Sequence, residues 1–280
     1  MTSTGTLTDA RVQRAGSWGL VPAIVLCSSA LFLFVLRMPL VGYPMVAIAL
    51  LMALLFDRRC LTRGMAQDFL LIAIGLAIIS SMSVKADIGW VNFFLLGFVL
   101  ASAVALPYLI ARFGFRTHII RFPWKGLWPW SALQWGYLVL VLALGWLILP
   151  FYFITTGVFH NWPVVTAPDE IGRLFVGVNF VGTWDELFFI CTVFVLLKRH
   201  FPLWQANLLQ AIVFVSFLWE LGYQSWGPLL TIPFALLQGY TFTLTRSLGY
   251  VLAVHLLFDL TVFLVIVHAA SPEMIPFFLL

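Results

Sequence analysis

The feature that most limits what this chain can become is a succession of long apolar runs, with charge confined to the joints between them. A membrane span needs roughly 20 apolar residues, fewer where neighbouring helices shelter it. On that ruler the sequence divides into about nine runs, at 18–36, 41–56, 68–84, 89–111, 131–155, 171–197, 203–222, 228–245 and 248–268. Composition agrees: 62% of the 280 residues are hydrophobic and 9% are charged, where an ordinary soluble domain carries about a quarter charged residues. The expected fold is all-α, a polytopic membrane protein of about eight to nine transmembrane helices, the second of them short enough to form a re-entrant hairpin.

The joints alternate in sign. Segments 57–63, 112–126 and 198–200 are basic, whereas 85–89, 155–170 and 220–228 carry at most one basic residue. By the positive-inside rule the first set is cytoplasmic, with the N-terminus inside and the C-terminus outside. Arg37 runs against this alternation. Arg11 and Arg14 precede a run too long for a signal peptide, so it reads as a retained first span. Because the excess of positive charge, +4 in all, sits in membrane-flanking connectors, nucleic acid is excluded as a partner and membrane lipids are implied. The aromatic and basic mixture of Trp124, Trp128 and Trp130 beside Arg121 and Lys125 has the character of a headgroup anchor. Cys27, Cys60 and Cys191 show no paired spacing, and packing is the expected role of the two inside apolar runs, Cys27 and Cys191.

A charge inside the hydrocarbon costs roughly 2.5–3.5 kcal/mol on insertion scales, so each one there is a candidate for function. Away from the ends at Arg173 and His268, the last four runs hold Asp185, Glu186, Glu220, His255 and Asp259. Asp185 and Glu186 follow one another on a helix and point about 100° apart, so only one of them need face a cavity centre. His255 and Asp259 are spaced i, i+4 and share a face. Four acids and one imidazole with no Lys or Arg at the same depth cannot all stay ionised. Either some acids keep protons, giving a general acid or base near neutral pH, or a divalent metal binds among them with open positions for water. A purely structural alternative is that Asp259 bonds to His255 to lock two helices while Glu220 lies at the interface.

The order "DELFFI", "LLQAIVFVSFLWELG" and "LTRSLGYVLAVHLLFD" resembles the CAAX-protease and bacteriocin-processing (Abi) family of intramembrane peptidases over about 171–268. That family carries an adjacent Glu pair followed by Arg, an F-x-x-x-H segment on the next span, and H-x-x-x-N/D on a later one. The resemblance sets Asp185 and Glu186 in the places of the Glu pair, and His255 and Asp259 in the H-x-x-x-N/D places. It implies that the first acid activates water for peptide hydrolysis and that the histidine motif stabilises the oxyanion, with metal dependence also entertained. The chain departs from the pattern in three places: Asp185 is one methylene shorter than Glu, Ile190 stands for Arg, and Glu220 stands near the place of the second-motif His, with Ser216 in place of its Phe.

The expectations are then as follows. Residues 1–170 supply N-terminal transmembrane helices and an amphipathic connector without specific motif, 171–268 form the peptidase-like core, and 269–280 a tail. The function implied is an intramembrane endopeptidase acting on membrane-associated or lipidated peptides, with catalysis by Asp185, Glu186, Glu220, His255 and Asp259. One alternative is an inactive relative serving as an assembly or scaffold protein for a membrane partner, which loss of Arg and His from the motifs favours; a second is a cation- or proton-coupled transporter. No cofactor is assigned beyond a divalent metal, and the resemblance points to a bacterial inner membrane.

Overall fold

The computed structural model describes residues 17–59, 61–125, 129–273 and 278. Arg11, Arg14, Cys60, Trp128 and most of the tail beyond 273 lie outside the described residues. Among the described residues the protein is all-helical, with nine long helices and no strand. They are α1 (Leu20–Val35), α2 (Pro39–Arg58), α3 (Met65–Ile79), α4 (Trp90–Gly114), α5 (Ala132–Thr156), α6 (Pro168–Lys198), α7 (Leu203–Leu221), α8 (Pro228–Thr245) and α9 (Leu248–Ala270). Each falls on one of the nine apolar runs. Five of them, α2, α4, α5, α6 and α9, are long and apolar enough to cross a membrane, and α1 and α3 are shorter apolar helices. α7 and α8 are less apolar because they carry Asn207, Gln210, Glu220 and Gln238, all buried. The second run is not a hairpin: α2 is one continuous helix of 20 residues entered through Pro39, where proline costs no hydrogen bond.

Local chemistry explains several boundaries. Asp57, near the end of α2, accepts from Met65 N at 3.3 Å and Ala66 N at 2.8 Å, which satisfies the free donors and complements the dipole at the start of α3. Ser131 and Gln134 form a reciprocal capping box on α5, and the Ser247 hydroxyl accepts from Tyr250 N at the start of α9. The Trp-rich connector, expected as a headgroup anchor, positions a helix. Its Pro123 and Trp124 carbonyls accept from Leu248 N at 2.8 Å and Gly249 N at 3.2 Å, so it fixes the entry of α9, the helix that carries His255.

One hydrophobic core runs from α1 through to α9. α1 packs on α7, and α5 packs along α9. Cys27 is a free thiol inside this core, and Cys191 is a free thiol in a smaller cluster with Leu248 and Val251. Two polar ties hold the early helices to the later ones. Asp68 of α3 accepts from Arg199 Nη1 on both oxygens, at 2.7 and 2.6 Å, and pairs with His200 Nε2 at 2.6 Å. Arg37, in the turn between α1 and α2 with a left-handed φ of 53°, donates from Nη2 to Glu220 Oε1 at 3.1 Å. The residue that opposed the charge alternation is therefore a partner for an acid 183 positions later.

Candidate active site

α6 is the helix on which the site is built. It is regular from Pro168 to Asp185 and then widens into a π-helical segment, Glu186–Phe194, before closing with Val195–Lys198. The Thr192 hydroxyl donates to Leu187 O, five residues back, at 2.9 Å, in step with the wider register. Such π segments concentrate at functional positions. Here the transition falls between the two adjacent acids. The aromatic residues around it are locked: Trp184 stacks on Phe188 at 5.1 Å and donates from its indole nitrogen to Leu100 O at 2.6 Å.

His255 of α9 sits between the two acids. Its Nδ1 is 2.7 Å from Glu186 Oε1, and its Nε2 is 3.7 Å from Asp185 Oδ2 and 3.8 Å from Asp259 Oδ1. A carboxylate oxygen accepts, so the proton of this bond sits on Nδ1, and Nε2 is the nitrogen left to take or give a proton. Glu186 is held in turn by Gln238 of α8, whose Nε2 donates to Glu186 Oε1 at 2.6 Å and to Val251 O at 3.1 Å. The result is a chain, Gln238 to Glu186 to His255, of the kind that fixes the tautomer and orientation of an imidazole.

Asp185, His255 and Asp259 line one cavity of about 390 Å³. Its other walls are chiefly apolar, including Phe93 and Phe98 from α4, Val178 from α6 and Phe234 from α8. Glu186 is not among the lining residues, in keeping with two acids pointing apart on one helix. Asp185 Oδ1 and Asp259 Oδ2 are buried with no hydrogen-bond partner among the described residues. Glu186 Oε2 is in the same state, and buried acceptors left this way are rare in folded proteins and call for an explanation. Gly182, one turn before Asp185, makes the close approach possible: a Cβ there would collide with Asp259 Oδ2 and come within 3.2 Å of His255 Cδ2.

Four of the five candidate residues thus meet, and the fifth does not. Glu220 is bound to Arg37 and hydrogen-bonded by Ser83 at 3.4 Å, and it does not line the cavity. The expectation that no basic side chain stands with these acids fails at this residue, because the partner comes from a distant turn. Sequence reasoning also passed over Gln238, whose only signal was an amide inside an apolar run, and the wall supplied by α4, where nothing but apolar residues marks the position. As to a metal, no group of three or more His, Cys, Asp or Glu among the described residues is arranged to hold one. On that arrangement the cluster does not fit the divalent ion considered from the sequence.

Residues 167–261 match the family model described as Type II CAAX prenyl endopeptidase Rce1-like. The match takes in Asp185, Glu186, His255 and Asp259 and agrees with the resemblance carried by the motifs. No curated protein and no solved structure matches the chain.

Proposed function

Since residues 167–261 match the CAAX prenyl endopeptidase family, we propose that this integral membrane protein is an intramembrane endopeptidase that hydrolyses peptide bonds in membrane-associated or lipidated peptides. The observation that carries the reading is that Asp185 and the free nitrogen of His255 face one apolar cavity while Glu186 holds the other nitrogen. A water between Asp185 and His255 Nε2 gives up a proton to one of them, and its oxygen attacks the peptide carbonyl carbon. The carbonyl π pair moves to oxygen; when it returns, the C–N bond breaks and the amine leaves with the proton the base had taken. Water exclusion by the aromatic walls strengthens each of these interactions. Phe94 and Phe98 of α4 and Val176 and Phe180 of α6 both line the cavity and are exposed on the outer surface, which supports entry of an apolar substrate from the lipid side. The location that goes with this reading is a bacterial inner membrane with the N-terminus in the cytoplasm.

The test is cleavage of a lipidated reporter peptide by the purified protein in proteoliposomes. Asp185→Asn and His255→Ala should each abolish cleavage while the thermal unfolding midpoint stays close to wild type. Cleavage retained by both variants would sink the assignment.

A second reading is favoured by one observation: the residue near the family's second-motif His is Glu220, and it is committed to Arg37. A relative that had lost catalysis and kept the fold to bind a membrane partner would show this. A stable partner that co-purifies equally with wild type and Asp185→Asn, in the absence of any cleavage, would decide for it.

A further inference from the structure

Hydrolysis by the route above needs a hydrogen-bond donor for the oxyanion, and that need is acute here. Glu220 is turned away to Arg37, and Asp259, where it is ionised, accepts but cannot donate. We propose, resting on the endopeptidase reading, that the Tyr223 hydroxyl is this donor.

Tyr223 lies just past the end of α7 and lines the same cavity as Asp185, His255 and Asp259. Its position is closely specified. Gly222 has a φ of 140°, open to glycine and strained for other residues, and a Cβ there would meet the Trp162 ring at 2.8 Å. Asn161 Nδ2 donates to Gly222 O at 2.9 Å, and Tyr223 N donates to Leu218 O at 2.9 Å. The phenol ring is clamped edge-to-face by Trp162 at 5.2 Å and Phe153 at 5.8 Å. Against this fixed frame, the hydroxyl makes no hydrogen bond to another described residue. A buried tyrosine ordinarily finds a partner for its O–H, so one that is rigid, buried and turned to a cavity has its donor to offer.

The protonation state fits the role. Burial first, and then the negative charges of Asp259 and Asp185, push the phenol well above the ordinary tyrosine range. A raised phenol keeps its proton throughout the neutral range, so it is a donor, and both acids are near enough to act on it. As the carbonyl π pair moves to oxygen, the phenol bonds to that oxygen without giving up its proton, so the proton count of the reaction is unchanged.

The variant is Tyr223→Phe, which keeps the ring contacts with Trp162 and Phe153. On the proteoliposome assay kcat should fall on the order of a hundredfold or more, as for loss of one oxyanion donor, with KM little changed. A peptide phosphonate, which mimics the tetrahedral oxyanion, should lose a similar factor in affinity, while the unreactive parent peptide binds as before. Wild-type kcat in Tyr223→Phe, or a loss seen instead with Thr231→Val, which removes the other side-chain hydroxyl lining this cavity, overturns the proposal and leaves the endopeptidase reading standing. Absence of cleavage by the wild type removes both, and is distinguished by Asp185→Asn giving the same blank. Equal weakening of phosphonate and parent peptide assigns Tyr223 to substrate packing and also overturns it.

Discussion

At the level of single residues, the division of labour between Asp185 and Glu186 follows from what each one touches. Asp185 lines the cavity, whereas Glu186, off the cavity, accepts from both Gln238 and His255 on Oε1, and each acid keeps one buried oxygen without a partner among the described residues. Gln238 should therefore act through Glu186 on the imidazole. Gln238→Leu removes the amide donor and leaves a buried carboxylate underbonded, at a cost of about 1–3 kcal/mol, read as a lower unfolding midpoint in detergent. Freed from its support, His255 should also lose its orientation, lowering kcat on the order of ten- to a hundredfold; Gln238→Asn, one methylene shorter, would recover little of it. The i, i+4 pair His255 and Asp259 and the neighbouring acids Asp185 and Glu186 were legible from helical spacing alone. Gln238 and Tyr223 were not, because a single amide or phenol in an apolar stretch carries no period and acquires meaning only from the helix packed against it.

The element that does most to shape the site is α6. Its first part brings Gly182 against Asp259, and its widened part begins at Glu186, which does not line the cavity. The widening itself has no signature in residue spacing, since a run such as "ELFFICTVF" is equally compatible with an ordinary apolar helix. Gly182 is the most sensitive backbone position. Gly182→Ala places a methyl group where Asp259 Oδ2 lies, so Asp259 or α9 must shift. Overpacking of this kind costs about 1–3 kcal/mol, and a displacement near 1 Å at the reacting centre lowers the rate on the order of a hundredfold. Cleavage assays on Gly182→Ala beside the neighbouring Gly177→Ala, where a Cβ meets nothing closer than a ring atom at 3.7 Å, would separate the two effects: the first should be impaired and the second active.

Across the molecule, the nine helices among the described residues were legible because hydropathy is summed over some twenty residues and connectors punctuate it with charge. What joins them was not. The Arg37–Glu220 and Asp68–Arg199 pairs span 183 and 131 positions, and no local pattern announces a contact at that separation. The pairs tie the N-terminal helices to the later ones, and the α4 wall of the cavity makes that helix part of the site's construction. Arg37 is about half exposed, 49% by side chain, while Glu220 is buried at 6%, so Arg37→Ala should cost about 1–3 kcal/mol through the acid it abandons. A double-mutant cycle with Glu220→Gln should show the losses to be less than additive, because the second change removes the stranded charge. Strict additivity would mean the pair contributes nothing.

The central claim is that this cavity splits peptide bonds with water activated at Asp185. It is tested most directly by incubating the reconstituted protein with a lipidated peptide in heavy-oxygen water and weighing the products. Attack by water activated at Asp185 predicts one heavy oxygen in the new carboxylate with the wild type and no new carboxylate with Asp185→Asn. Intact peptide in both samples, or equal cleavage in both, would contradict it.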